Sequence, residues 1–366
     1  MPYNPNNPYI PGDPYCYDLK WLVRKLKKIE ASIGTDAAEL PYFLKSTDDD
    51  TDRTNEINRI LNTYGACVLG AGRFTVSNIV MPAHSSLEGS GIGATYLDSV
   101  PYSSGDMILM NSVTSVKDLR LDGGLASAPA SDGGRNGIAW AGSYEDPSDP
   151  GTYPLQGQIS NVLITGFSGD GIRCEKSSRA ANSGVDADNI IIRNCYCGVF
   201  IGKYSEYNQF VLIDCTNNHY GCINNGGNNV FVNCNFSKNV TGLLMDDTGG
   251  ISPNNSHGSF IACSFNHPDD NNGNSIEIHA IDWGEIFTAC QIHFGAIVIE
   301  NSKGIRFDSC ILGSDVSLNI TDNTLVTFDH CTMYEGAGTV LTAADNTVLN
   351  FNECYDLDGT QYTPVL

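Results

Sequence analysis

The chain reads as an all-β solenoid, and three observations predict it. Eight cysteines in the C-terminal half, Cys195, Cys215, Cys234, Cys263, Cys290, Cys310, Cys331 and Cys354, recur at steps of 20, 19, 29, 27, 20, 21 and 23 residues. A strand-like phrase returns around them: Asn-Val-Phe-Val-Asn-Cys at 229–234, Gly-Ser-Phe-Ile-Ala-Cys at 258–263, Gly-Glu-Ile-Phe-Thr-Ala-Cys at 284–290 and Ile-Arg-Phe-Asp-Ser-Cys at 305–310. Turn formers are plentiful, with 38 glycines in 366 residues, as a path with several corners per coil requires. Such a repeat, about 20–30 residues of short strands, is one coil that cannot bury its apolar face alone.

Composition narrows the partners. Lys plus Arg is 20 and Asp plus Glu is 42, a formal charge of −22. That balance repels phosphate backbones and anionic lipid, so nucleic acid and membrane insertion are not expected. The first residues, Met1 to Pro5, lack a basic segment followed by an apolar one, so no Sec signal is expected. No apolar run is long enough to span a bilayer. Thirteen cysteines without an export signal favour thiols over bridges, stacked coil on coil as a buried ladder. Their spacing fits no zinc knuckle, and no metal or cofactor is expected.

Residues 1–15, rich in Pro, Asn and Tyr, read as an extended attachment arm. Residues 16–33 follow as a helix with Leu19, Leu22, Leu26, Ile29 and Ile33 spaced 3, 4, 3, 4. That seam suits either an amphipathic helix packed on its own domain or a short trimeric coiled coil, which two heptads could not sustain alone. Residues 34–47 read as a connector. Thr51 or Asp52 then caps a short helix carrying Ile57, Ile60 and Leu61, which Gly65 ends. A strand follows at 66–69. A helix there is placed to cover the open first coil. The solenoid is expected over 48–358, with a tail at 359–366.

Asp-Asp-x-Thr at 48–51, the short helix, Gly-x-Gly-x-Phe-x-Val at 70–76 and Leu87-Glu88-Gly89-Ser90-Gly91 resemble the opening of pectate-lyase-superfamily right-handed parallel β-helices. With the coil repeats the resemblance covers roughly residues 46–358. Phage tailspikes and many polysaccharide-acting enzymes share that opening. The segment Asn7-Pro8-Tyr9-Ile10-Pro11-Gly12-Asp13-Pro14-Tyr15, followed by Asp18-Leu19-Lys20-Trp21, resembles the leader of tail or baseplate proteins in phages of Gram-positive gut bacteria. The resemblance implies a single-stranded β-helix, a homotrimer attached through residues 1–33, a host surface glycan as partner, and a virion-tail location after synthesis in the host cytoplasm.

One strand aligns across six coils: 171–175, 198–202, 221–225, 242–246, 275–279 and 296–300. Side chains alternate faces. Ile172, Val199, Cys222, Leu243, Ile276 and Ile297 form one inward column, and Cys174, Ile201, Asn224, Met245, Ile278 and Ile299 a second. Outward lie Glu175, Gly202, Asn225, Asp246, His279 and Glu300. Asp246 and Glu300, two coils apart, are about 9–10 Å from one another, at the upper edge of the carboxylate separation of an inverting glycosidase. His279 between them suits a pH-tuned base. Asp246, His279 and Glu300 are therefore the candidate catalytic residues, Asp246 as proton donor and Glu300 as activator of water. Asp247, His257 and Glu277 are the alternates.

Asp246-Asp247, His257-Gly258 and Arg306 are also similar to the Asp-Asp, Gly-His-Gly and Arg-Ile-Lys motifs of polygalacturonase-type hydrolases. The departures are Ser256 in place of the first Gly, no Ile-Lys after Arg306, and Asp186-Ala187-Asp188 in place of Asn-Thr-Asp. Tyr144 and Tyr153, with Glu175 and Asn225 on the outward column, are the candidate sugar-binding residues. Trp140 follows Ile138 in strand phase and suits the core. Asp269-Asp270, the candidate Ca²⁺ ligands, are as readily a solvated acidic loop. Three functions stay open: a phage tail spike that binds, with or without cleaving, a host surface polysaccharide, a polysaccharide hydrolase or lyase unrelated to virions, and a non-catalytic binding or structural β-helix.

Overall fold

A computed structural model describes residues 41–47, 49–101, 103–140, 157–175, 184–203, 205–246, 257–267, 273–282, 284–313, 316–322, 324–334, 341–343 and 347–362. The attachment arm and the heptad helix lie outside them. The chain winds as a parallel β-helix of three sheets. The first sheet runs from Phe43–Leu44 and Ala66–Leu69 to Val348–Asn352, and the second from Ile79–Val80 to Leu341–Ala343. The third is short, from Ser264–Asn266 to Tyr355–Asp356. Every pairing between named strands is parallel, each strand bonding to its equivalents in the coils before and after it.

The repeated phenylalanine explains the repeated phrase. Phe210, Phe231, Phe260, Phe287, Phe307, Phe328 and Phe351 face each other in register along the first sheet. Their rings stack at centroid spacings of 4.8, 4.6, 5.2, 4.7, 4.9 and 4.9 Å. The spacing is that of the backbone ladder itself, so ring contact and strand pairing favour one register.

The cysteine of the same phrase turns inward at the next corner. The residue before it is left-handed: Asn194, Asn233, Ala262, Ala289, Ser309, His330 and Glu353 have φ between 48° and 56°. From Cys234 onward each thiol then donates to the carbonyl of the stacked phenylalanine one coil earlier, as in Cys290 to Phe260 at 3.3 Å, Cys310 to Phe287 at 3.3 Å and Cys331 to Phe307 at 3.4 Å. All twelve cysteines among the described residues are buried free thiols, as the spacing suggests. Burial, with a smaller contribution from the Asp170 charge, pushes the Cys195 thiol up to about 12.

Both inward columns of the second sheet are as expected: Ile172, Val199, Cys222, Leu243, Ile276 and Ile297 stand in register and are fully buried. The glycines that open four of these strands have a steric cause. A Cβ on Gly198 or Gly221 would lie 2.5 Å from the carbonyl oxygen of the equivalent glycine one coil on. Asn224 is interior, and its side-chain oxygen accepts from Asn229 Nδ2 at 2.9 Å. Trp140 is buried in the core.

The helix α1 (Thr54–Tyr64) buries Ile57, Ile60 and Leu61 against the strands Ala66–Leu69 and Ile79–Val80, covering the first coil. Gly65, left-handed at φ 68°, ends it. Its start differs from the expectation. Arg53 is the capping residue, without a side-chain cap, while Asp52 Oδ1 accepts from the Thr54 N–H at 2.9 Å. The aspartate still serves the helix start, but from one residue earlier. Phe43–Leu44, in the stretch read as a connector, pairs in parallel with Val68 and Leu69.

Among the described residues one buried carboxyl group, that of the fully buried Glu285, stands without a hydrogen-bond partner on either oxygen. Burial pushes its pKa well above the ordinary 4.5, so the folded chain holds this proton more tightly than the unfolded one. Its contribution is complete below pH 4.5 and is lost as pH rises toward the raised value. Glu285→Met should therefore raise stability at pH 8 by about 1–3 kcal/mol and flatten the stability–pH curve between pH 5 and 8, measured by urea unfolding. A variant less stable than the parent at pH 8 would refute this. Phe287→Ala, in mid-stack, should cost about 3–5 kcal/mol by the same measurement.

Candidate functional site

The second sheet carries the candidate residues at the ends of three successive strands. Thr241–Asp246, Asn274–His279 and Gly295–Glu300 pair so that Asp246, His279 and Glu300 stand in line, followed by Thr321. Alternation does the placing: Met245, Ile278 and Ile299 are fully buried, so the residue after each must face out. Glu277, two residues before His279, shares its outward face.

His279 sits between two carboxylates. Its Nδ1 is 3.2 Å from Glu300 Oε2, and its Nε2 is 3.7 Å from Glu277 Oε2. Glu277 also accepts hydrogen bonds from Thr241 Oγ1 at 3.1 Å and from Asn274 Nδ2. Burial pushes the Glu277 carboxyl up, but hydrogen bonds from His279, Asn274 and Thr241 outweigh it and hold the group below its ordinary value. His279 is raised above 6.5, chiefly by its hydrogen bond to Glu277 and then by the charges of Glu300 and Glu277, against the opposing effect of burial. Of the two charges, that of the nearer Glu300 has the larger effect on the ring. The pull is toward imidazolium. Imidazolium is the form that can donate a proton.

The other candidates are dispersed. Asn225 stands next to Asp246 and its Oδ1 accepts the Asp246 N–H at 3.0 Å, so its oxygen serves the backbone. Glu175 pairs with Arg173, which also binds the buried Asp170 at 2.6 Å and lies 4.3 Å over the Phe200 ring. His257 opens a strand of the first sheet, in register with Gly227, and so lies across the corner from the Asp246 column. Arg306 is on the first sheet, paired with Asp329 and Asp308. Asp186 and Asp188 line a separate shallow depression of about 290 Å³ there. Asp247, Tyr144, Tyr153 and Asp269-Asp270 lie outside the described residues. Among the described residues no group of His, Cys, Asp and Glu has the geometry to hold a metal ion, and no helix is long and apolar enough to cross a membrane.

Thr241 and Asn274, which hold Glu277, were not anticipated. The signal was present: both stand in register at the start of the aligned strands. The arrangement makes a direct prediction. In NMR titration His279 should lose its proton above pH 6.5, and Glu277→Gln should bring that midpoint down toward 6.5. A parent midpoint at or below 6.5 would mean that the two carboxylates do not grip the ring.

No protein-family model matches the chain, and no curated protein matches it. Solved structures do. The mannuronan C-5 epimerase AlgE4 A-module of Azotobacter vinelandii superposes with a TM-score of 0.66 at 13% identity, over 87% of this chain and 96% of that one. Tailspike protein 2 from Escherichia coli O157:H7 bacteriophage CAB120 gives 0.54 at 15% identity, over 84% of this chain and 40% of that one. The catalytic domain of a GH87 α-1,3-glucanase in complex with tetrasaccharides gives 0.54 at 14% identity, over 86% and 69%. At such identities the likeness is one of fold, and in fold this chain is a right-handed parallel β-helix.

Proposed function

We propose that the protein is a phage tail-associated spike that binds a host cell-surface polysaccharide and cleaves it at the second sheet. The observation that carries the cleavage reading is His279 gripped between Glu277 and Glu300 on a rigid sheet face. A protonated imidazole supplies the proton that a leaving glycosidic oxygen needs. Glu300, nearly half exposed beside the ring, is the group that takes a proton from attacking water. Asp246 lies two strand spacings from Glu300, about 9–10 Å, at the upper edge of the acid–base separation of an inverting hydrolase, and is the alternative proton donor. Glu277 positions the ring and keeps it charged.

The spike reading rests on the N-terminal resemblance together with the fold that this chain shares with a tailspike. In that reading residues 1–15 attach to the tail or baseplate, and residues 16–33 set a trimer.

The test is incubation with purified surface polysaccharides of Gram-positive gut bacteria, reading reducing ends and unsaturated uronate. New reducing ends without unsaturation are expected. His279→Asn and Glu300→Gln should each lower turnover by about 10²-fold or more, and turnover should fall as pH rises through the His279 midpoint. Unsaturated product would replace hydrolysis by elimination. Binding without cleavage would leave a receptor-binding spike, and full turnover by His279→Asn would remove the ring from the mechanism.

A further inference from the structure

The outer face of the second sheet carries an apolar column beside its line of polar groups. Phe200, Ile223 and Leu244 stand in register on it, one per coil, and lead to Glu277. These are outward positions, since Val199, Cys222 and Leu243 beside them are in the core. The sheet is therefore apolar on both sides along this column.

An aromatic group borders the stripe. The Tyr196 and His219 rings stack at 5.5 Å with 9° between their planes, and Tyr220 meets both edge-on at 5.5 and 4.7 Å. All three are half-buried rather than enclosed. Tyr220 is in register with Thr241 and then Asn274, the two residues that hold Glu277. After burial, the charge of Glu277 is the next influence raising the Tyr220 hydroxyl pKa, which places the two within electrostatic reach. Along the register, both the aromatic group and the apolar column lead to the residues of the carboxylate–histidine cluster.

Charge limits what can lie there. At the Leu244–Glu277 end of the stripe, between Lys238 and Lys303, the chain has no lysine or arginine and, besides the buried Glu285, seven carboxylates, Asp246, Asp247, Asp269, Asp270, Glu277, Asp282 and Glu300. A sugar carrying carboxylate or sulfate would meet repulsion at that end, while the cation at the other end of the stripe, Arg173 over Phe200, is already paired with Asp170 and Glu175. Sugar rings present C–H faces that stack on aromatic and apolar surface.

We propose that Tyr196, His219 and Tyr220, with the stripe Phe200–Ile223–Leu244, form a stacking subsite for an uncharged glycan chain whose end reaches Glu277, His279 and Glu300. This rests on the polysaccharide-binding reading above and adds the substrate class and the residues that hold the chain away from the reacting bond.

The test is calorimetric titration of the full chain with hexamers of glucose, of N-acetylglucosamine and of galacturonate. A neutral hexamer should bind and galacturonate should not, even at low salt. Tyr196→Ala and Tyr220→Ala should each weaken binding by about tenfold, the scale of one lost aromatic contact. Tyr220→Phe keeps the ring and should retain affinity, which separates stacking from a folding defect. Alanine variants that bind like the parent, or tighter binding of galacturonate, would overturn the subsite. If the tyrosine variants bind normally while His279→Asn abolishes cleavage, the subsite fails and the cleavage reading stands. Failure of all three hexamers to bind would overturn both.

Discussion

Everything in this protein depends on the register between neighbouring coils. A coil has no core of its own, so its apolar side chains are buried only if the next coil places equivalent residues above them. The stack from Phe210 to Phe351 enforces this, because its spacings of 4.6–5.2 Å match the spacing of paired strands. The thiols from Cys234 onward add a second constraint, each bonding to a carbonyl of the coil before. A slip of one residue would reverse the faces of a strand and expose the whole column.

That same register builds the exterior. Once Met245, Ile278 and Ile299 are inside, Asp246, His279 and Glu300 are held in line on the outer face with no further design. Side chains on such a sheet need little extra ordering to act together, which is what acid–base chemistry requires. The cluster supplies its own electrostatics: Glu277, anchored by Thr241 and Asn274, keeps charge beside a ring that burial alone would neutralise. A like cluster on mobile loops would be screened and averaged.

Two features show where the solenoid departs from pure repetition. At its N-terminal end α1 covers the core that the first coil would leave open, while Phe43–Leu44 takes up the first strand's free edge. In the interior Glu285 stands where neighbouring coils have Ile305 and Val326, and the fold tolerates it as a neutral acid. An apolar stack of this length can absorb such a group because its net stability is summed over many coils.

The sequence by itself determined the solenoid, the thiol ladder, the two inward columns and the outward line of Asp246, His279 and Glu300. All of these follow from alternation and repeat length, which are local properties of the chain. Tertiary structure alone decided how the outward groups meet. Alternation says that Glu277 and His279 share a face; it does not say that the ring turns between Glu277 and Glu300, or that Thr241 and Asn274 hold Glu277 there. Nor does it say that His257 falls on the other side of a corner, because the number of residues between Asp246 and the next strand is unlike that of other coils. Glu285 was equally hidden, since a strand's first residue turns in or out according to the corner before it. Face is set by neighbours in sequence, whereas contact is set by neighbours in space, and the coil geometry joins residues some 20–30 positions apart.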